Sequence, residues 1–249
     1  MSADGSAPGP TRFVLVHGAW HGGSCWAPVV ADLTRRGFRV DAPDLPSDTT
    51  GLGARDYADT VLAALGPGRE PVVLVGHSLG GLTVPVVAER LGPGRVTAMV
   101  LIAAMTPVPG TSFVGRLRED PGVMVDGYDR GVRRAEDGTT YWPADALADG
   151  LYRGVAEESS EAAVAAATAG LRPQAWTIGK EVTPLQAWPA VRTVAVVCAG
   201  DRVADPDAFR RAAADVGADV VELPGGHFPM LTRPAELADV LEGIARGER

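Results

Sequence analysis

The residues best suited to chemistry lie in the run Val72-Val-Leu-Val-Gly-His-Ser-Leu-Gly-Gly81, which contains Gly76-x-Ser78-x-Gly80. An apolar run of strand length precedes the serine, and a segment of helical pattern follows it. A serine on so tight a strand-to-helix turn stands clear at the strand end, and the crowded positions beside it need glycine. The helix N-terminus behind it favours a developing negative charge. The chemistry this suits is nucleophilic attack by Ser78 on an acyl carbon; the structural alternative is a helix N-cap serine.

A serine hydroxyl needs a base, and the chain has four histidines. His77 adjoins the serine on the same turn, where its side chain does not easily share the serine's face. His17 and His21 fall in the glycine-rich segment His17-Gly-Ala-Trp-His-Gly-Gly23 and are expected to shape that loop. His227 lies in Leu223-Pro-Gly-Gly-His227-Phe-Pro, just past the last strand-like run. Parallel strands bring their C-terminal ends to one edge, so His227 can meet Ser78 there and is the expected base. The acid that orients it should follow a strand between the two. Asp201, in Ala199-Gly200-Asp201, is the first candidate. Asp205 is the alternative, but it precedes Pro206 and reads as a helix N-cap; Asp207 falls in that helix's first turn. An oxyanion would need two backbone N–H groups. Leu79, next to the serine, supplies one; Ala19, with Trp20 as second choice, supplies the other from the glycine-rich loop.

These residues need a scaffold that collects strand ends. Val-rich runs recur at Phe13–Val16, Phe38–Ala42, Val72–Val75, Val96–Ala103, Thr193–Cys198 and Asp219–Leu223. Such runs, without alternation, suit strands buried on both faces of a parallel sheet. Helical segments lie between them: Cys25–Arg36, Asp56–Leu65, Leu79–Leu91, Asp207–Val216 and Thr232–Ala245. The alternation predicts an α/β fold with helices on both faces of a mostly parallel six-stranded sheet. Residues 107–184 break the rhythm. They contain no convincing core strand, carry helical fragments near Ser112–Glu119, Pro143–Tyr152 and Ser159–Ala169, and read as a helical cap inserted into one domain spanning 1–249. Seven of the fourteen aromatic residues fall in or beside this stretch.

Composition narrows the function classes. With 46% hydrophobic residues the chain can build a large core. The net charge of −8 argues against nucleic acid and anionic membranes as partners. The one basic cluster, Arg133–Arg134, is flanked by Asp129, Glu136 and Asp137 and reads as a solvated face. The lone lysine, Lys180, carries no assigned role. Two distant cysteines, Cys25 and Cys198, read as free thiols. No apolar run reaches transmembrane length, and Met1–Pro10 has no apolar core of a signal peptide, so a cytoplasmic location is expected. No phosphate loop, dinucleotide glycine pattern or HExxH is present. No metal or organic cofactor is expected.

The segments FVLVHGAWHGGSCW, LVGHSLGG and GGHFPML resemble the methylesterase and hydroxynitrile-lyase-like group of the α/β-hydrolase superfamily, over most of the chain outside the cap. The resemblance implies Ser78 as nucleophile, His227 as base, Asp201 as acid, and Ala19 and Leu79 as oxyanion donors. Lyases of that group carry a lysine directly after the catalytic histidine; here that position is Phe228, which favours ester hydrolysis. The expected function is a serine hydrolase that cleaves a small apolar ester, lactone or related acyl compound. Trp20, Phe228, Tyr128 and Trp142 are expected to line the substrate pocket. The alternatives are a lyase, carbon–carbon-cleaving or cyclising enzyme on the same triad, or a ligand-binding receptor. The expected partner is a small-molecule substrate, with a homodimer left open.

Overall fold

The computed structural model describes residues 11–248; Met1–Pro10, discussed above for targeting, lie outside the described residues. Six parallel strands form the central sheet: β1 (Arg12–Val16), β2 (Arg39–Asp41), β3 (Val72–His77), β4 (Val96–Ile102), and two later strands that follow residues 107–184. Two short antiparallel strands, β5 (Arg133–Arg134) and β6 (Thr140–Tyr141), lie within those residues. The later sheet strands are therefore β7 (Thr193–Cys198) and β8 (Asp219–Leu223). The order is β2-β1-β3-β4-β7-β8. Strand order reverses at β1 and β3, and the loop 17–23 and Ser78 emerge from their C-terminal ends. That is where open α/β sheets bind ligands.

The central strands β1, β3 and β7 are buried along their whole length, as their unbroken apolar runs require. The outermost strands differ. β8 exposes Asp219, Val220 and Glu222 because an edge strand is not covered on all sides.

The helices are α1 (Ala27–Arg35), α2 (Ala54–Leu65), α3 (Val84–Leu91), α4 (Phe113–Glu119), α5 (Val155–Glu158), α6 (Glu161–Ala169), α7 (Thr177–Lys180), α8 (Pro206–Asp215), α9 (Pro229–Thr232) and α10 (Pro234–Ala245). Two helices expected to be continuous are split: residues 23–26 and 78–82 are 3₁₀ turns that lead into α1 and α3. The expected C-terminal helix is α10, preceded by the short α9. Each of α1, α3 and α10 has a proline in its first turn, Pro28, Pro85 and Pro234. Proline lacks the N–H that would continue the preceding helix, yet it fits a first turn well.

Between β4 and β7, α4 and α6 begin where expected, capped by Ser112 and Ser160 side chains that accept from Gly115 and Ala163 amides. The segment Pro143–Tyr152 departs from expectation. Only Ala144–Ala146 forms a 3₁₀ turn, because Asp145, Asp149 and Gly150 are weak helix formers and the Trp142 ring occupies the space beside Gly150. The β5–β6 pair was not legible, since two-residue strands carry no periodicity.

Candidate active site

Ser78 sits at the end of β3 with φ +50°, in the left-handed region that a non-glycine residue enters only at some cost. The surroundings enforce it. A Cβ on Gly80 would lie 2.7 Å from the carbonyl oxygens of Val16 and His17, and one on Gly76 2.8 Å from Val84 Cγ2. The sharp turn thus packs against β1 with no room for side chains. From the other side, the Met105 amide donates to the Ser78 carbonyl at 2.9 Å.

His227 follows β8, and Asp201 follows β7. The Gly200 amide donates to the Gly225 carbonyl at 2.9 Å and ties the two loops together. The Asp201 carboxylate is enclosed. Its Oδ1 accepts from the Val203 and Ala204 amides at 2.8 and 3.0 Å, and its Oδ2 lies 2.6 Å from His227 Nδ1. With Nδ1–H donating to the carboxylate, Nε2 remains as an acceptor. Asp205 instead caps α8, accepting from the Asp207 and Ala208 amides, and makes no hydrogen bond to His227. His77 turns its ring toward the His227 loop: its Nε2–H donates to the His227 carbonyl at 2.8 Å. Burial and the neighbouring His227 hold His77 well below the ordinary histidine range, so it is neutral. Ser78 and His227 line one cavity, and among the described residues no hydrogen bond joins them.

Two further buried imidazoles hold the loop after β1. His17 Nδ1–H donates to the Gly18 carbonyl at 2.9 Å, and its Nε2 accepts from the Leu45 amide at 2.9 Å. His21 Nδ1–H donates to the Ala19 carbonyl at 2.8 Å, and its Nε2 accepts from the Tyr152 hydroxyl at 3.0 Å. Burial pushes both down to about 4. The loop carries Trp20 at φ +60°. The Trp20 amide is engaged by Gln174 Oε1 at 3.4 Å, whereas the Ala19 and Leu79 amides donate to no group among the described residues. Of the two candidates from this loop, only Ala19 offers a free N–H.

The cavity at Ser78 encloses about 520 Å³, its open mouth included. Trp20, Tyr128 and Phe228 line it, as expected. Trp142 does not. It packs edge-to-face behind Trp20 at 5.7 Å, drawn into the space left by Gly131 and Gly150, and its indole N–H has no partner among the described residues. The lining that sequence reasoning missed is Met105, Phe113, Met124, Leu151, Trp176 and Val203. Phe113 and Trp176 had a signal, as further aromatics of the 107–184 stretch; the aliphatic and methionine members had none. Thr140 was also missed. Its hydroxyl accepts from the indole N–H groups of Trp20 (3.0 Å) and Trp176 (2.8 Å) and donates to the Gln174 carbonyl (3.2 Å), so one buried side chain sets two walls. No carboxylate, lysine or arginine lines this cavity. Among the described residues no cluster of three His, Cys, Asp or Glu side chains could hold a metal, and no helix is long and apolar enough to cross a membrane.

Comparison with known proteins agrees with this architecture. Residues 13–240 match the model of the alpha/beta hydrolase family. The chain is 32% identical over 259 residues to the probable esterase PIR7A of Oryza sativa subsp. indica, covering 95% of this chain and 97% of that protein. It is 32% identical over 257 residues to methyl jasmonate esterase 1 of Vitis vinifera, covering 94% and 96%. A pyrethroid hydrolase from Sphingobium faniae shares the fold, with a TM-score of 0.77 at 22% identity over 95% of this chain and 97% of that one. Polyneuridine aldehyde esterase does so with a TM-score of 0.80 at 22% identity, over 95% and 99%.

Proposed function

The chain belongs to the alpha/beta hydrolase family, and from that premise we propose that Ser78, His227 and Asp201 act as nucleophile, base and orienting acid in the hydrolysis of small, apolar carboxylic esters. The observation that carries the reading is the Asp201–His227 pair beside a serine held at positive φ, with the two unengaged amides of Ala19 and Leu79 next to it.

In this mechanism the ester carbonyl carbon meets Ser78 Oγ, and His227 Nε2 takes the hydroxyl proton as the bond forms. The carbonyl oxygen becomes an oxyanion that accepts from the Ala19 and Leu79 N–H groups. Asp201 keeps the proton on Nδ1 and stabilises the imidazolium. Collapse breaks the ester C–O bond; His227 returns the proton to the departing alcohol and leaves an acyl group on Ser78. Water, deprotonated by His227, then attacks that acyl group, and the acid leaves with Ser78 restored.

The substrate's character follows from the walls. Aromatic and thioether side chains favour apolar acyl groups, and a charge placed beside the scissile carbonyl would be buried without a partner. Phe228 keeps the position after the base apolar, where an ammonium would be needed to stabilise a departing cyanide. The plant relatives named as esterases, one of them for methyl jasmonate, support an ester with a small alcohol.

The test is a chromogenic short-chain ester panel with intact-mass detection of an acyl adduct and fluorophosphonate labelling. Wild type should turn over and label at Ser78, and Ser78→Ala should do neither. Equal labelling of the variant, or cyanohydrin cleavage without ester turnover, would overturn the reading.

A further inference from the structure

Four aromatic residues, Trp20, Phe113, Tyr128 and Trp176, line both the uncharged cavity at Ser78 and an adjoining open depression of about 980 Å³, its open mouth included. The depression is chemically different from the cavity. Arg133, Arg134 and Lys180, the chain's lone lysine, line it, against a single acid, Asp129. The chain as a whole carries −8, so this is a local reversal of sign.

The three cations are not consumed by the protein. None of them lies within 4.0 Å of a carboxylate among the described residues. The nearby acids are placed otherwise. Asp137 accepts from the Thr139 amide and hydroxyl at 2.9 and 2.7 Å, and Glu181, beside Lys180, accepts from the Ala54 amide. Arg134 makes one hydrogen bond, to the Gly138 carbonyl at 3.3 Å, which keeps it on the β5–β6 turn. Arg133 and Arg134 are held on β5 by pairing with Tyr141 and Thr140, and Thr140 is the residue that fixes Trp20 and Trp176. The cations and the shared aromatic rings are therefore parts of one frame.

We propose that this depression is a subsite for an anionic group, such as a carboxylate, carried by the substrate at the end remote from the scissile ester. The proposal rests on the hydrolase reading and deepens it. An ester carbonyl at Ser78 leaves its near atoms among apolar side chains. A charge is accepted only beyond the shared aromatic rings, where the guanidinium groups can pair with it and water still reaches it. The favoured substrate is then an amphiphile with a neutral reacting end, an apolar spacer and a remote anion. Because the acidic surface elsewhere repels such a molecule, the basic mouth also orients its approach.

The test uses the Arg133→Gln/Arg134→Gln/Lys180→Gln variant, whose substitutions are all exposed. Three aryl substrates are compared: a neutral hexanoate, a suberate monoester with its free carboxylate remote in the acyl chain, and an acetate ester of a hydroxyphenyl-propanoate with its anion on the alcohol side. At least one anionic ester should show a KM raised about tenfold in the variant with kcat unchanged, while the hexanoate is unaffected. About 0.5 M salt should erase most of that difference in wild type. An unchanged KM for both anionic esters, or an equal change for all three, would overturn the subsite. Should wild type hydrolyse none of them, the hydrolase reading fails on its own. The subsite is then decided by calorimetry: equal affinity of the suberate monoester for Ser78→Ala protein with and without the triple substitution removes it.

Discussion

The loops at the strand ends and the walls contributed by residues 107–184 are built differently. The loops are held by backbone hydrogen bonds and neutral buried imidazoles: Gly200 to Gly225, Met105 to Ser78, His17 to Leu45, and His77 to the carbonyl of His227. The walls are held by ring packing and by one hydroxyl, Thr140, shared between two indoles. Backbone bonding locates atoms to the precision a reacting centre needs. Side-chain packing defines a shape that can change without moving that centre. On the reading proposed above, changes in the loops alter kcat and changes in the walls alter which substrate is accepted.

The largest expected effect tests the loop half of this contrast. Asp201→Asn should lower kcat by about 10⁴, because an amide in place of the carboxylate spoils the His227 tautomer and the support of its cation. Asp205→Asn should retain near-normal turnover, since asparagine caps helices equally well. The reverse ranking in steady-state kinetics would transfer the acid role to Asp205.

Next is acid stability. Buried His17 and His21 have folded-state values near 4, below the unfolded value of about 6.5, and His77 is lowered in the same direction. Between those values the unfolded chain binds more protons than the folded one. Stability is therefore full above about pH 6.5 and is lost as pH falls toward 4, by about 1.4 kcal/mol per pH unit for each histidine. Thermal melts across that window should show a Tm that drops steeply; a flat Tm would mean the imidazoles are not buried neutral.

Thr140→Val leaves the buried Trp20 and half-buried Trp176 indole N–H groups without their acceptor and should cost about 2 kcal/mol in denaturant unfolding. In the same variant KM should rise more than kcat falls, as expected of a wall. Phe113 lines both the Ser78 cavity and the groove between α4 and α8. Phe113→Ala should join them and shift the acyl-length optimum toward longer chains, read from kcat/KM along an ester series. The smallest effect is expected at Trp142. Its N–H has no partner among the described residues and its ring lies behind Trp20, so Trp142→Phe should leave KM within about twofold. A large KM change there would mean that it reaches the substrate directly.

Local patterns in the chain were enough for the sheet, the elbow and the position of His227. The six strands appear at the expected places because a fully buried parallel strand has to be apolar along its length, as at Val72–His77 and Thr193–Cys198. Ser78 was legible because its turn is so tight that Gly76 and Gly80 are obligatory within two residues of it. Three distinctions came only from the folded chain. Asp201 and Asp205 are four residues apart and chemically equal; only the loop that carries His227 selects between them. Ala19 and Trp20 both offer an amide, until Gln174, more than 150 residues away, engages one of them. Trp142, read as pocket lining, settles behind Trp20, whereas Arg133 and Arg134, read as a solvated face, are exposed on β5. A backbone pattern is dictated by neighbours along the chain and is therefore written locally. Which side chain meets which is decided by long-range packing, to which residues far apart in sequence contribute equally and without any periodic signature.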